Sequence, residues 1–489
     1  MKLDAVGLEV ISQAFASVAE EMGLVLIYSA LSANIRERRD ASAALFAADG
    51  EMIAQAAHIP VHLGALAEAV AAVRALEPLP GEMFLLNDPY AGGSHLPDLT
   101  LIGAIDIEGQ IGGYSVVRAH HSDVGGMTAG SMPAGARELY QEGLIIPPMR
   151  YTPDLERLLL ANVRTPGTRR GDLAAQRAAV ERGAEGLRWL ANRYGWNDLC
   201  EAVRELLDYA ERRTKAGLRR LPLVQPATAA DYLEGDGITD RDIIIRVSLA
   251  INDGVLHADF TGSHGTAAGN VNCPLAVTRS AVMFVVRTLL PEDVPMNGGV
   301  ARAIRVSAPE GCLVNARAPS AVAAGNVETS QRIADTVFRA LAAGGCPVPA
   351  LGQGTMNNVT FGSSAWTYYE TIGGGQGASR GASGPSGAHV GMSNTRNTPI
   401  EVLEMEHPLR VRTYALRRGS GGNGKRTGGD GVVREFEALD EMETTLLTAI
   451  TAGLLGMLGW GCADFFAKKT IDKIGDLPTL FWGQLLGLI

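Results

Sequence analysis

Residues 85–103, LLNDPYAGGSHLPDLTLIG, set Asp88, His95 and Asp98 in one short loop carrying Gly92 and Gly93, after which the chain enters an apolar, strand-like segment. An imidazole and a carboxylate at i and i+3 offer the nitrogen and oxygen donors that Zn, Mn or Fe accept. A second cluster, RAHHSDVGG, adds His120, His121 and Asp123, and Asp40 in RERRDAS, an acid beside a run of arginines, is a third candidate. Two histidines with two carboxylates would leave coordination positions open for water, as a hydrolytic metal centre requires. On residue types and spacing alone two readings stand. A lone loop histidine is more often a hydrogen-bonding residue than a ligand, yet His58, His62, His95 and His120 gather in the first part of the chain, with His121 a fifth.

The elements around these clusters decide whether the residues can meet. Residues 5–28 carry apolar positions at helical spacing, and RRDASAALFAADGEMIAQA then alternates around an Asp-Gly turn, the pattern of a hairpin. HIPVHLG leads into a second helical stretch, ALAEAVAAVRALEP, and LTLIGAIDIEGQIGGYSVVRAHH reads as two strands joined by a Glu-Gly turn. His120 and His121 therefore end a strand whose hairpin partner begins just after Asp98, which can bring His95, Asp98 and His120 together. Residues 171–217 are helical with a break near Gly195 to Asn197, and a domain boundary is expected near 222. Beyond it, DIIIRVSLAINDGVLHADFTG has period-two strands around an Asn-Asp-Gly turn, helices are expected at 275–290 and 327–343, and residues 352–398 are dense in Gly, Ser, Thr and Asn.

At 489 residues the chain is long enough for two or three domains. Its 59 glycines, roughly 12% against an average near 7%, imply many tight turns. A formal net charge of -10 with no basic stripe argues against nucleic acid as a partner. Cys200, Cys273, Cys312, Cys346 and Cys462 form no CxxC pair and suit a reduced cytoplasmic setting. GSGGNGK, residues 419–425, has P-loop spacing, but Arg426 stands where Ser or Thr would hold magnesium and a strand-like segment follows. GGGQGASRG, residues 373–381, lacks the strand and helix of a dinucleotide fingerprint. At the far end, Thr444 to Ala463 is twenty residues without a charge, about the length that spans a bilayer.

ERRDASAALF, AQAAHIPVHLGAL, NDPYAGGSHLPDLTLI, AHHSDVGGMTAGSM and QEGLIIPP resemble the hydantoinase B family, which includes the B half of 5-oxoprolinase and a related acetone carboxylase subunit. DFTGS, GNVNCPLAVTRSAV, GNVETSQRIADTVFRAL, GGGQGA and NTRNTPIEVLEMEHPLRV are similar to later family blocks in the same order, over about residues 5–437. The resemblance implies a mixed α/β (α+β), multi-domain fold: a metal-binding domain over 1–222 ending in long helices, and a β-rich α+β domain over 223–440. It implies an ATP-dependent cyclic amide hydrolase in which an A-type partner binds ATP and phosphorylates the amide oxygen of a lactam or hydantoin ring. The B-type chain would hold the divalent metal (Zn, Mn or Fe) that activates water, the two forming a heterotetramer.

Carried over by motif, the metal ligands fall on His95, Asp98 and His120, with Asp40 completing the set. His121 and Asp123 beside them would orient a ligand or accept a proton. Arg38, Arg39 and His58 would receive the anionic phosphorylated intermediate, the rival reading being a structural ion-pair cluster. A subunit of an acetone carboxylase-like ATP-dependent carboxylase and an inactive membrane-tethered scaffold are the alternative functions. The final stretch, residues 441–489, departs from the family. It is similar to the start of an EamA-type transporter and is expected as a hydrophobic helix at a fusion or truncation junction, which would tether an otherwise cytoplasmic chain to a membrane.

Overall fold

Asp4 starts the first helix by accepting a hydrogen bond from the Gly7 N–H at 2.9 Å, an N-cap that satisfies one of the orphan donors of α1 (Ala5–Ser29). The computed structural model of the chain describes residues 4–447 apart from 58 and 63. Ile11, Phe15, Val18, Ala19, Met22 and Leu26 recur at helical spacing along α1 and form its buried face. A short helix, α2 (Ala33–Arg36), then leads into β1 (Ala41–Ala47) and β2 (Met52–Ala57), the hairpin expected around Asp49-Gly50.

After α3 (Ala65–Arg74) come β3 (Met83–Leu86), β4 (Asp98–Ile107), β5 (Gln110–His120) and β6 (Met149–Arg150). Together with the first hairpin they make a six-stranded antiparallel sheet in the order β2-β1-β5-β4-β3-β6. The β4–β5 turn puts Glu108 and Gly109 at φ of 53° and 82°, the paired left-handed conformations that match the twist of a tight hairpin. Its register sets Asp98 opposite His120, and β1 sets Ala41 opposite Ala119.

Period-two alternation assigns the two faces of this sheet. Leu45, Leu101 and Val117 pack into a cluster with α1 and the later helices, while Phe46, Ile102 and Val116 pack on the other side against Leu66, Ala69, Val70 and Val73 of α3. A helix α4 (Pro153–Ala161) precedes the long pair α5 (Pro166–Tyr194) and α6 (Trp196–Arg219), which part at Gly195, the expected break. α5 lies along α1 and anchors the chain that leads to β1. Asp172 accepts from the Leu31 and Ser32 N–H groups at 3.0 Å each and pairs with Arg169, also at 3.0 Å.

The remainder is built from smaller sheets. β7 (Ala227–Leu233), β8 (Ile243–Asn252), β9 (Val255–Asp259) and, after α7 (Leu275–Leu289) and α8 (Gly298–Arg302), β10 (Ile304–Ser307) form a four-stranded sheet ordered β10-β9-β8-β7. Ile243, Ile245, Val247 and Leu249 alternate inward on β8 and pack with α7 and α9 (Ser330–Ala343). α9 starts three residues later than the periodicity suggests, because residues 325–329 form a π-helical turn before it.

The polar stretch 352–398 is not only loop: it contains β11 (Asn357–Gly362) and β12 (Thr367–Ile372). Their sheet order is β12-β11-β15, where β15 is Glu443–Leu447, and α10 (Ile400–Glu406) precedes the hairpin of β13 (Leu409–Arg417) and β14 (Gly431–Ala438). The uncharged run that begins at Thr444 thus opens as sheet, with Thr444 and Leu447 opposite Phe361 and Asn358. The rest of the proposed transporter-like helix lies outside the described residues. The loop 419–425 is a turn between β13 and β14 with strand after it, as the failed P-loop pattern suggests.

Replacing Asp172 with Ala would leave two inward N–H groups and the buried Arg169 without their partner. A stability loss of about 3 kcal/mol or more is expected in urea unfolding, and a loss below about 1 kcal/mol would place the pair among inconsequential surface contacts.

Candidate metal centre

The loop between β3 and β4 can turn toward β5 because Gly92 adopts φ 101° and because a Cβ on Gly93 would lie 2.4 Å from the Asn87 carbonyl. Asn87 braces the same loop, its side chain donating to the Leu96 carbonyl at 2.8 Å and accepting from the Ile146 N–H at 2.7 Å. Arg118, buried on β5, holds it from beneath by donating to the Gly92 carbonyl at 2.9 Å and to Thr100 Oγ1 at 2.8 Å. Burial pulls the Arg118 guanidinium down to about 10, with the charge of Asp98 acting in the opposite direction. Asp88 caps the turn by accepting from the Tyr90 N–H at 2.9 Å.

His95, Asp98 and His120 converge at the end of this hairpin, and each is at most 2% exposed. His95 Nε2, His120 Nδ1 and Asp98 Oδ1 form a triangle with edges of 3.2, 3.2 and 3.3 Å. Donors about 2.0–2.1 Å from a tetrahedral ion stand roughly 3.3 Å apart, so the triangle has the size of one face of a zinc-type coordination shell. Asp98 Oδ1 and His120 Nε2 are buried with no hydrogen-bond partner among the described residues. Buried polar atoms are normally satisfied, so an orphaned carboxylate oxygen inside a ring of imidazoles fits a cation-binding site.

The surroundings orient these donors. His95 Nδ1 faces the Ala323 carbonyl at 3.4 Å, which favours a proton there and a free lone pair on Nε2. Asp98 Oδ2 lies 3.3 Å from His62 Nε2 and accepts from Ser94 Oγ, and His62 Nδ1 meets Ser42 Oγ at 3.0 Å. Burial acts to raise the Asp98 carboxyl, but the surrounding imidazoles of His95, His62 and His120 hold it well below the usual carboxylate range. His120 stacks on the Tyr369 ring of β12 at 4.2 Å, and burial lowers its pKa against the opposing pull of Asp98 and Asp40.

The other expected site residues take different places. Asp40 is buried and its carbonyl accepts the His120 N–H at 3.0 Å, but its carboxylate is outside the three-donor cluster and lies 3.9 Å from Arg38. Arg38 is fully buried. Its guanidinium donates to Asn34, to the Tyr369 carbonyl at 3.0 Å and to Thr371 and Thr395 at 2.9 and 3.3 Å, so it joins the two halves of the chain with its outer nitrogens already engaged. Arg39 is half-buried in the left-handed region at φ 57°. His58 lies outside the described residues.

His121 points the other way from His120, toward Gln176 of α5 at 2.9 Å. Asp123 binds the Arg164 backbone and guanidinium, both at 2.8 Å, and receives long contacts from Gly125 and Gly130. Neither touches the three donors directly through these bonds. His62, Ser94, Arg118 and Tyr369 were not singled out as site residues by sequence reasoning. The second histidine of HIPVHLG was the one available signal.

Fold and site together define a mixed α/β protein that carries a buried, two-histidine, one-carboxylate donor cluster at the seam between two regions. The sequence profile described as Hydantoinase B/oxoprolinase matches residues 4–459, and the chain belongs to that family. It is 40% identical to an uncharacterized protein of Methanocaldococcus jannaschii over 96% of this chain and 86% of that one. Against 5-oxoprolinase 1 of Arabidopsis thaliana it is 36% identical, covering 91% of this chain and 37% of that longer protein. Against the putative B-type subunit of a D-/L-hydantoinase from a Pseudomonas species it is 29% identical, covering 90% and 78%. The crystal structure of an ATP-dependent caprolactamase from Pseudomonas jessenii superposes with a TM-score of 0.83 at 28% identity, covering 91% of this chain and 80% of that one. A nucleotide-free acetone carboxylase shares the fold, with a TM-score of 0.80 at 18% identity over 91% of this chain and 63% of that one. The family match runs past residue 437, where the motif resemblance stopped, and includes the start of the uncharged run.

Burial, with the Arg169 charge adding to it, lowers the His121 pKa to about 4. Below about 6.5 the unfolded chain takes up a proton that native His121 refuses, so stability is lost as pH falls from there toward 4. Urea unfolding at pH 7.5 and pH 5 should show His121→Gln losing about 2 kcal/mol less than the parent. Equal losses in both would mean that His121 protonates freely in the folded chain.

Proposed function

We propose that this chain is the metal-holding B-type subunit of an ATP-dependent cyclic amide hydrolase of the hydantoinase/5-oxoprolinase type, acting on a ring amide phosphorylated by an A-type partner. The observation that carries the reading is the buried His95–Asp98–His120 triangle with its orphaned carboxylate oxygen. Relatives named 5-oxoprolinase, a relative named as one subunit of a hydantoinase and the fold shared with an ATP-dependent caprolactamase support the reaction class and the need for a partner.

A divalent metal, Zn, Mn or Fe, held by His95, Asp98 and His120 would supply the Lewis acidity that lets water lose a proton near neutral pH. The chain's own residues do the rest. Asp98 brings a negative charge that offsets the cation, and His62 and Ser94 fix its second oxygen so that Oδ1 faces the two imidazoles. The Ala323 carbonyl holds a proton on His95 Nδ1, leaving Nε2 as donor, and Tyr369 fixes the plane of the His120 ring. Asp40 accepts the His120 N–H through its carbonyl and adds negative charge near that ring, and it would serve as a fourth ligand only if its carboxylate turned from Arg38. His121 and Asp123 support the hairpin end through α5 and Arg164, and with Arg38 engaged, Arg39 is the remaining described arginine of that segment for a phosphorylated intermediate. Among the described residues four cysteines are free, which suits the cytoplasm.

The test is ring opening by the full chain mixed with an A-type partner and ATP over a panel of lactams and hydantoins. Turnover should require both chains and ATP and fall at least about 100-fold in Asp98→Asn. Parent-like turnover by Asp98→Asn would refute the assignment, and incorporation of labelled bicarbonate in place of ring opening would identify a carboxylase.

A further inference from the structure

The carboxyl group that links the metal-type cluster to the second half of the chain is Glu142, fully buried at the end of the short turn Leu139–Gln141. Its Oε1 accepts two successive backbone N–H groups, Val322 at 2.9 Å and Ala323 at 2.8 Å, about 180 residues further along the chain. Ala323 is the residue whose carbonyl faces His95 Nδ1 at 3.4 Å. One amide on, the carbonyl of the same segment is thus aimed by a side chain that never meets the donors. Glu142 Oε2 is buried with no hydrogen-bond partner among the described residues.

We propose that Glu142 is a positioning residue for the metal centre: by clamping the Val322 and Ala323 amides it aims the Ala323 carbonyl at His95 Nδ1 and so selects the tautomer in which Nε2 is the metal donor. A histidine ligand depends on an acceptor at its other nitrogen, and loss of such an outer partner typically costs 10- to 100-fold in metal affinity. The rest of this segment is held independently, since Pro319 and Ser320 carbonyls accept from Leu139 N–H and Tyr90 OH, both at 2.7 Å. The clamp therefore acts on the Val322 and Ala323 amides, next to the Ala324 N–H, which donates to the Asn270 carbonyl at 3.0 Å and holds the other edge of the peptide that carries the Ala323 carbonyl. Burial raises the Glu142 carboxyl to about 8 against the two amide bonds, so a neutral amide is a close replacement at neutral pH.

The inference rests on the metal reading given above, and two measurements on the full chain separate the two. Zinc alone is titrated into metal-free parent, Glu142→Gln, Glu142→Asp and Glu142→Leu, with folding checked by thermal melting. The Gln variant keeps the acceptor and should bind within about threefold of the parent, while the Leu variant, and to a lesser degree the shortened Asp variant, should bind about 10- to 100-fold more weakly. Parent-like zinc affinity in the folded Leu variant, or in the Asp variant where Leu does not fold, overturns the proposal. The second measurement is the nitrogen-15 spectrum of histidine in the metal-free proteins, with His95 identified by its loss in His95→Asn. A proton on Nδ1 in the parent and Gln variant, and a mixture of tautomers in the Asp variant, supports the clamp even if the parent binds no zinc. A proton on His95 Nε2 in the parent overturns it.

Discussion

A carboxylate buried among imidazoles is the constraint on which this architecture turns. Asp98 is 1% exposed, and a lone charge so placed would cost several kcal/mol. The β4–β5 register answers that cost by placing His120 opposite Asp98, and the i+3 spacing of the preceding loop adds His95. The bond between His62 and Asp98 Oδ2 draws in the segment after β2, and Ser42 on β1 holds the far side of that ring. A slip of one residue between β4 and β5 would put Asp98 and His120 on opposite faces of the sheet.

The cluster belongs to both regions of the chain. The first region supplies the donors, and the second supplies what presses on them: the Ala323 carbonyl on His95, the Tyr369 ring on His120 and the acceptors around Arg38. Arg38, Arg118 and Arg169 are all fully buried and anchor backbone or hydroxyl groups close to the ligand-bearing loops. Removing the partners of interior guanidiniums of this kind is strongly destabilising, so the loops gain rigidity from charges that themselves face no solvent.

The first region is also where sequence reasoning reached furthest. The short apolar runs ALFA and LTLIGAIDI, turn pairs such as Glu108-Gly109 and the helical spacing of residues 5–28 are local signals, and each became the expected element. His95, Asp98 and His120 could be grouped because a hairpin converts local spacing into proximity. Asp40 was a candidate from its residue type and joined the set by motif likeness, and its carboxylate stands apart, 3.9 Å from the Arg38 guanidinium. Tyr369 and Glu142 were invisible for a different reason: each acts through tertiary contacts over distances along the chain that no periodicity encodes. The stretch around β11 and β12, dense in Gly, Ser, Thr and Asn, carried no strand signal, since glycine and asparagine are poor strand formers, and β11 is instead set by its neighbours on both sides.

The central claim is that the triangle of His95, Asp98 and His120 exists to hold a metal. Elemental analysis of the purified full chain beside a His95→Ala, Asp98→Ala double variant tests it most directly. About one divalent metal per parent chain, and none in the folded variant, is the expected result. No metal in either, after reconstitution of folded protein with Zn, Mn and Fe, would contradict it and leave the cluster as a buried hydrogen-bonded network at the seam of the fold.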